Sequence, residues 1–172
     1  MAQKLSAGIL LYRISRDRVV QVLIAHMGGP FWERKDKGGW SIPKGEYEDG
    51  EDPFQVALRE FEEELGKPVP AKEFLSLGSI KQPSGKVVTV WAAQGEFDEE
   101  TATSNTFVME WPKGSGQMQE FPEVDRVGWF DIETARTKLL KGHVPFLERL
   151  VDKVREEMPD LRDRDRTLGA LF

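Results

Sequence analysis

Cysteine is missing from this chain of 172 residues, so it can build neither a disulfide nor a thiolate metal site. Histidine is nearly missing too. His26 and His143 are the two present, which argues against a histidine-rich zinc centre. No stretch stays apolar for the ~18 residues that a membrane-spanning helix needs. The opening MAQKLSAGILLYR has a short apolar run but no leader-type hydrophobic region or cleavage site, and reads as a strand. An excess of positive charge is absent as well. The net charge is -6 at pH 7, which excludes broad binding to nucleic acid or to anionic membranes. A small phosphorylated ligand stays compatible, because a bound cation inverts the local field. These absences leave a soluble, cytoplasmic protein that would use oxygen ligands. Its size and 39% hydrophobic content suit one domain with a proper core.

Alternation and turn residues set out the expected elements. Strands are expected over residues 5–12 and 19–26, forming a hairpin, and over 40–42, closed by Pro43. Residues 46–52 read as a polar loop. Asp52 is placed to cap a helix and Pro53 to begin it. That helix should run from Pro53 to Leu65, with Gly66 as its stop. Strands over 74–82 and 86–97 should be joined by the turn Pro83-Ser84-Gly85. Further strands are expected over 106–111 and 127–130, with a long loop over 112–123 between them. A short helix over 132–140 and an amphipathic one over 144–158 close the domain, residues 1–158. A charged tail, 159–172, ends in the apolar Leu168, Leu171 and Phe172; it leaves monomer and homodimer both open.

The helix over 53–65 carries the chemistry. At ~100° per residue, Phe54, Ala57, Leu58, Phe61 and Leu65 form one apolar stripe. Glu60, Glu63 and Glu64 share an arc beside it, and Glu62 points away. Three glutamates on a helix usually form a solvated acidic face. Here they follow the segment WSIPKGE and stand next to Arg59. Clustered carboxylates are hard ligands suited to Mg2+ or Mn2+.

Residues 45–67 resemble the Nudix box: glycine, five residues, glutamate, seven residues, arginine-glutamate, an aliphatic, any residue, two glutamates, any residue, glycine, an aliphatic. Gly45, Glu51, Arg59, Glu60, Phe61, Glu63, Glu64 and Gly66 fall in register. Phe61 is aromatic where an aliphatic is usual, and Lys67 replaces the last aliphatic. The flanking WSIPKGE and VGWFDIETA also fit, and the whole chain most resembles a bacterial group described as NTP pyrophosphohydrolases. The resemblance implies the Nudix α/β/α sandwich, a mixed sheet with the box helix on one side and the closing helices on the other.

It also implies Mg2+-dependent hydrolysis of a nucleoside diphosphate derivative, with release of a nucleoside monophosphate. Glu60, Glu63 and Glu64 are then the metal ligands, helped by the Lys44 backbone carbonyl, and Glu51 and Arg59 brace the loop against the helix. The general base is Glu60 or Glu63, or a glutamate on a distant loop, Glu120 or Glu123, with Glu123 preferred. The small-molecule nucleotide would meet Lys44, Lys81 or Lys86 through its phosphates, and Tyr47 or Trp32 through its base. Trp91 and Trp111 are more simply core residues. Nucleoside triphosphates or dinucleoside polyphosphates come ahead of ADP-ribose and other ADP-sugars. A non-catalytic nucleotide-binding module is the reading of another class; such modules usually have eroded box carboxylates, and here all three are present.

Overall fold

The computed structural model describes residues 4–158. In chain order they form β1 (Leu5–Ile14), β2 (Val20–Met27), β3 (Trp40–Ser41), β4 (Lys44–Tyr47), α1 (Pro53–Leu65), β5 (Leu75–Lys81), β6 (Val87–Gln94), a 3-10 turn (Glu99–Thr101), β7 (Thr106–Glu110), β8 (Met118–Pro122), β9 (Val124–Asp131), α2 (Ile132–Lys138), a second 3-10 turn (Lys141–His143) and α3 (Val144–Glu157). No helix among these residues is long and apolar enough to cross a membrane. The expected tail, 159–172, with its apolar end, lies outside the described residues.

β1 and β2 form the expected hairpin, with Leu11 opposite Leu23. Both read as almost continuous apolar runs because both faces of their sheet are covered. Alternation divides the two faces. Ile9, Leu11, Leu23 and Ala25 pack with Val56, Ala57, Phe61 and Leu65 of α1. Leu10, Tyr12, Val22 and Ile24 pack with Ala135 of α2 and Phe146, Leu147, Leu150 and Val154 of α3. The result is the expected sandwich, a mixed sheet between α1 and the closing helices.

β1 is the central strand. β6 runs parallel along one edge, from Leu5 opposite Val87 to Tyr12 opposite Gln94. The other edge is shared. Its second half pairs with β2 and its first half with β4, Gly8 lying opposite Lys44. Where β1 and β2 part, the segment from β3 to β4 wedges between them. His26 lies opposite Trp40, and the Pro43 carbonyl accepts the Ile9 N–H at 3.1 Å. That wedge delivers the KGE segment to the flank of α1.

α1 begins and ends where its residues dictate. The Asp52 side chain accepts the Phe54 N–H at 3.2 Å. Gly66 takes φ 87° and returns its N–H to the Glu62 carbonyl at 2.7 Å. Full burial of Phe61 contributes about 1.5–3 kcal/mol, and its ring meets that of Phe97 edge-on at 5.9 Å. The buried stripe differs from the expected one by including Val56 and Glu64, while Phe54 and Leu58 are half-buried.

Three expectations are corrected. Residues 44–47 form β4 where a polar loop was expected from 46 onwards, because the pairing is supplied by β1 and needs no apolar alternation in KGEY itself. The long loop expected over 112–123 contains β8, which folds back on β7 with Phe107 opposite Phe121. This two-stranded ribbon stands apart from the main sheet, so neither strand has the buried face that makes a strand conspicuous in sequence. β9 begins at Val124, earlier than expected, since it pairs along most of β2.

Candidate functional site

The site lies where β4 meets α1. Gly45 sits so close to Glu60 that a methyl group on its α-carbon would occupy the space of the Glu60 carboxyl. The need is for close approach. Gly45→Ala is therefore expected to cost about 1–3 kcal/mol of stability by overpacking. It should also displace Glu60, a pairing of effects that thermal unfolding and an activity assay would read together.

Next to Gly45, the Lys44 N–H donates to the Glu64 carboxylate at 2.7 Å. Glu64 is buried, and burial pushes its pKa up to about 8 against the pull of the Lys44 ammonium and amide. Burial also raises Glu60, reinforced by the charge of Glu63 and opposed by Arg59. Glu123 is raised in the same way, by burial first and Glu63 second, with Lys44 opposing. Glu123 in turn acts on both Glu60 and Glu64. Thus three glutamates from one helix, a fourth from just before β9 and one lysine share a single electrostatic environment.

Hydrogen bonds show how Glu123 reaches it. The Glu63 carbonyl accepts the Asn105 N–H at 2.8 Å, and the Asn105 carbonyl accepts the Glu123 N–H at 2.8 Å. Glu63 itself borders a groove of about 460 Å³, lined also by Arg59, Gly66, Thr103 and Asn105. Glu120, the other loop glutamate considered, is exposed on β8 opposite Val108.

On the outer side, Arg59 bonds Glu51 at 3.3 Å and lies 3.7 Å from Glu60. Glu51 also accepts the Glu48 N–H at 3.0 Å, which together with Arg59 holds its carboxyl below the usual range. This pair joins the loop before α1 to the helix. Behind β4, Lys86 pairs with Glu46 at 2.9 Å. His143 accepts the Ile42 N–H at Nδ1, 3.2 Å away. Burial, helped by the charges of Lys44 and Lys86, pushes its pKa down to about 3. His143 is therefore a neutral prop for the segment leading into β4.

The other expected substrate contacts lie on different elements. Tyr47 packs half-buried against the α1-side core. Lys81 is exposed at the end of β5. Trp32 is half-buried in the loop after β2, with the Lys35 ammonium 5.2 Å from its ring. Trp91 meets Phe54 edge-on at 5.2 Å, and Trp111 meets the exposed Phe31 at 5.4 Å. Sequence reasoning gave no part to Asn105, or to the pair His26 and Asp125, joined at 2.8 Å across a separation of 99 residues. No local pattern marks such partners.

The donor set suits a hard divalent cation. It is all oxygen, and Glu64 is a buried carboxylate whose charged form a nearby cation would favour. As placed, no three acidic or histidine side chains among the described residues close around one point. Glu64 is turned onto the Lys44 amide, and Glu60 lies against Gly45 beside Arg59. Joint ligation requires these side chains to turn inward.

Residues 2–150 match the family model described as NUDIX domain. Among solved structures, the NUDIX domain of Shewanella oneidensis NrtR complexed with ADP ribose superimposes with TM-score 0.60 at 18% identity, covering 90% of each chain. A mutT/nudix family protein from Listeria innocua gives 0.61 at 17% identity, over 91% of this chain and 97% of that one. A C. elegans Ap4A hydrolase in a binary complex gives 0.57 at 20% identity, over 88% and 98%. At these identities the likeness to the three structures is one of fold.

Proposed function

The chain belongs to the Nudix hydrolase family, and from that membership we propose that it hydrolyses the diphosphate linkage of a nucleoside diphosphate derivative, using Mg2+ or Mn2+. Glu60, Glu63 and Glu64 would hold the cation, with the Lys44 backbone carbonyl beside them. A divalent cation there supplies charge neutralisation on the diphosphate and acidifies the attacking water. The remaining work falls to the chain's own groups. Glu123 takes the water's proton, since burial and Glu63 raise its pKa towards the working pH, as a general base requires. Glu60 and Glu63 are the other bases considered, but both are committed to the cation. Arg59 and Glu51 hold the preceding loop onto α1.

The observation that carries this reading is the meeting of Glu123 with Glu60 and Glu64 in one partly desolvated cluster, where the charge of Glu123 raises the pKa of both and that of Glu60 also raises Glu64. A like-charged cluster around one buried carboxylate has little structural use without a cation or a proton to handle. The preferred substrates are nucleoside triphosphates or dinucleoside polyphosphates, releasing a nucleoside monophosphate. ADP-ribose is the second reading, supported by the ADP ribose in the NrtR complex.

The purified protein with Mg2+ should be offered nucleoside triphosphates, dinucleoside polyphosphates, ADP-ribose and ADP-sugars, with products separated by chromatography. One class should be cut to a nucleoside monophosphate. Binding of a nucleotide without any cleavage would instead make this a non-catalytic nucleotide-binding module.

A further inference from the structure

We infer that His26 and Asp125 position Glu123 for proton transfer; this rests on the reading of Glu123 as the general base. His26, near the end of β2, is fully buried, so its ring cannot touch a nucleotide. Both ring nitrogens are engaged. Nε2 lies 2.6 Å from the Lys35 carbonyl and Nδ1 2.8 Å from an Asp125 carboxylate oxygen. A carbonyl only accepts, so Nε2 donates to Lys35, and Nδ1 is left to share a hydrogen bond with Asp125. The ring is also held edge-on to Trp40 at 5.2 Å. A buried polar ring with two such partners has one orientation, and it specifies the geometry of whatever it grips.

What it grips is a β-bulge. His26 lies opposite Arg126, but Met27 lies opposite Val124, so Asp125 is the extra residue of β9. The bulge shifts the alternation by one, allowing both Val124 and Val127 into the α1-side core. Glu123 is the next residue out. Its carbonyl accepts the Gly28 N–H at 2.9 Å, and its N–H reaches Asn105. So His26 and Gly28, two residues apart, hold Asp125 and Glu123, also two residues apart. An apolar residue at position 26 would fill the core equally well, but it would leave the bulge and Glu123 without this grip.

Two conservative changes separate the two bonds. His26→Gln keeps a donor near Nε2 for Lys35 and loses the bond to Asp125. His26→Asn does the reverse. Asp125, about a quarter exposed at 26% of its side chain, can be changed with less risk to the fold. On a substrate that the wild type cuts, Asp125→Ala and His26→Gln should each lower kcat about tenfold with KM within about twofold, as misplacement of a catalytic group by a fraction of an ångström does. Asp125→Asn, which can still pair with Nδ1, and His26→Asn should retain most of kcat. In a Glu123→Gln background, Asp125→Ala should cause no further loss.

Normal kcat in Asp125→Ala, or an additive loss in the double variant, would overturn the inference while leaving the base reading intact. A fully active Glu123→Gln would remove the base reading itself, and the inference with it. Hydrogen exchange at the Gly28 amide supplies a readout independent of turnover. It should speed up about tenfold or more in Asp125→Ala, as a lost local constraint does. Unchanged exchange would equally overturn the inference.

Discussion

Glu64→Gln is expected to lower kcat by about 10³-fold or more while the protein stays folded. The glutamine oxygen can still accept the Lys44 N–H now bonded to the carboxylate at 2.7 Å, so the junction of β4 and α1 keeps its main contact. What disappears is the negative charge. A cation stabilises the developing charge of phosphoryl hydrolysis by several kcal/mol, and each ~1.4 kcal/mol is a factor of ten in rate. Glu62, exposed on the same helix, supplies the control, and Glu62→Gln should change kcat less than about twofold, as an exposed substitution away from the site does. Steady-state kinetics at saturating Mg2+, with circular dichroism to confirm the fold, decides it. A Glu64→Gln enzyme within tenfold of wild type would remove Glu64 from the proposed cation site.

The second large effect is on stability, and its direction follows from the same residue. Glu64 has a folded-state pKa of about 8, raised from 4.5 chiefly by burial. A carboxyl raised on folding contributes stability that is fully present below its unfolded pKa, and this is lost as pH rises through the folded value. Without cations, the protein should therefore lose stability between about pH 5 and pH 9. The shift sets an upper bound of about 5 kcal/mol on the loss. Glu60 and Glu123, raised in the same direction, add to it. A divalent cation that binds the ionised form reverses the loss, so Mg2+ should raise Tm more at pH 8.5 than at pH 6. In Glu64→Gln both the fall with pH and much of the Mg2+ gain should shrink. A Tm that climbs steadily from pH 6 to pH 9 in the absence of cations would contradict the buried, proton-holding Glu64.

The legible parts of the molecule were those built from near neighbours. α1 was readable to the residue because Asp52, Pro53 and Gly66 act within one turn of the positions they cap. The central hairpin was readable because its strands are buried on both faces and so almost wholly apolar. Grouping Glu60, Glu63 and Glu64 on one arc needed only the helical period. The ribbon of β7 and β8 escaped because its exposed strands lack a buried face to mark them.

By itself, then, the sequence determined the helix, its caps, the carboxylate arc and the resemblance that they carry, since all of these rest on interactions between residues a few positions apart. Only the tertiary structure decided that Glu64 is the buried member of the arc, that Glu123 and not Glu120 joins it, and that KGEY is a strand. It also decided that His26 finds Asp125 across 99 residues. Each of those outcomes depends on which distant segments share an edge or a face of the sheet, and packing of the whole chain makes that choice.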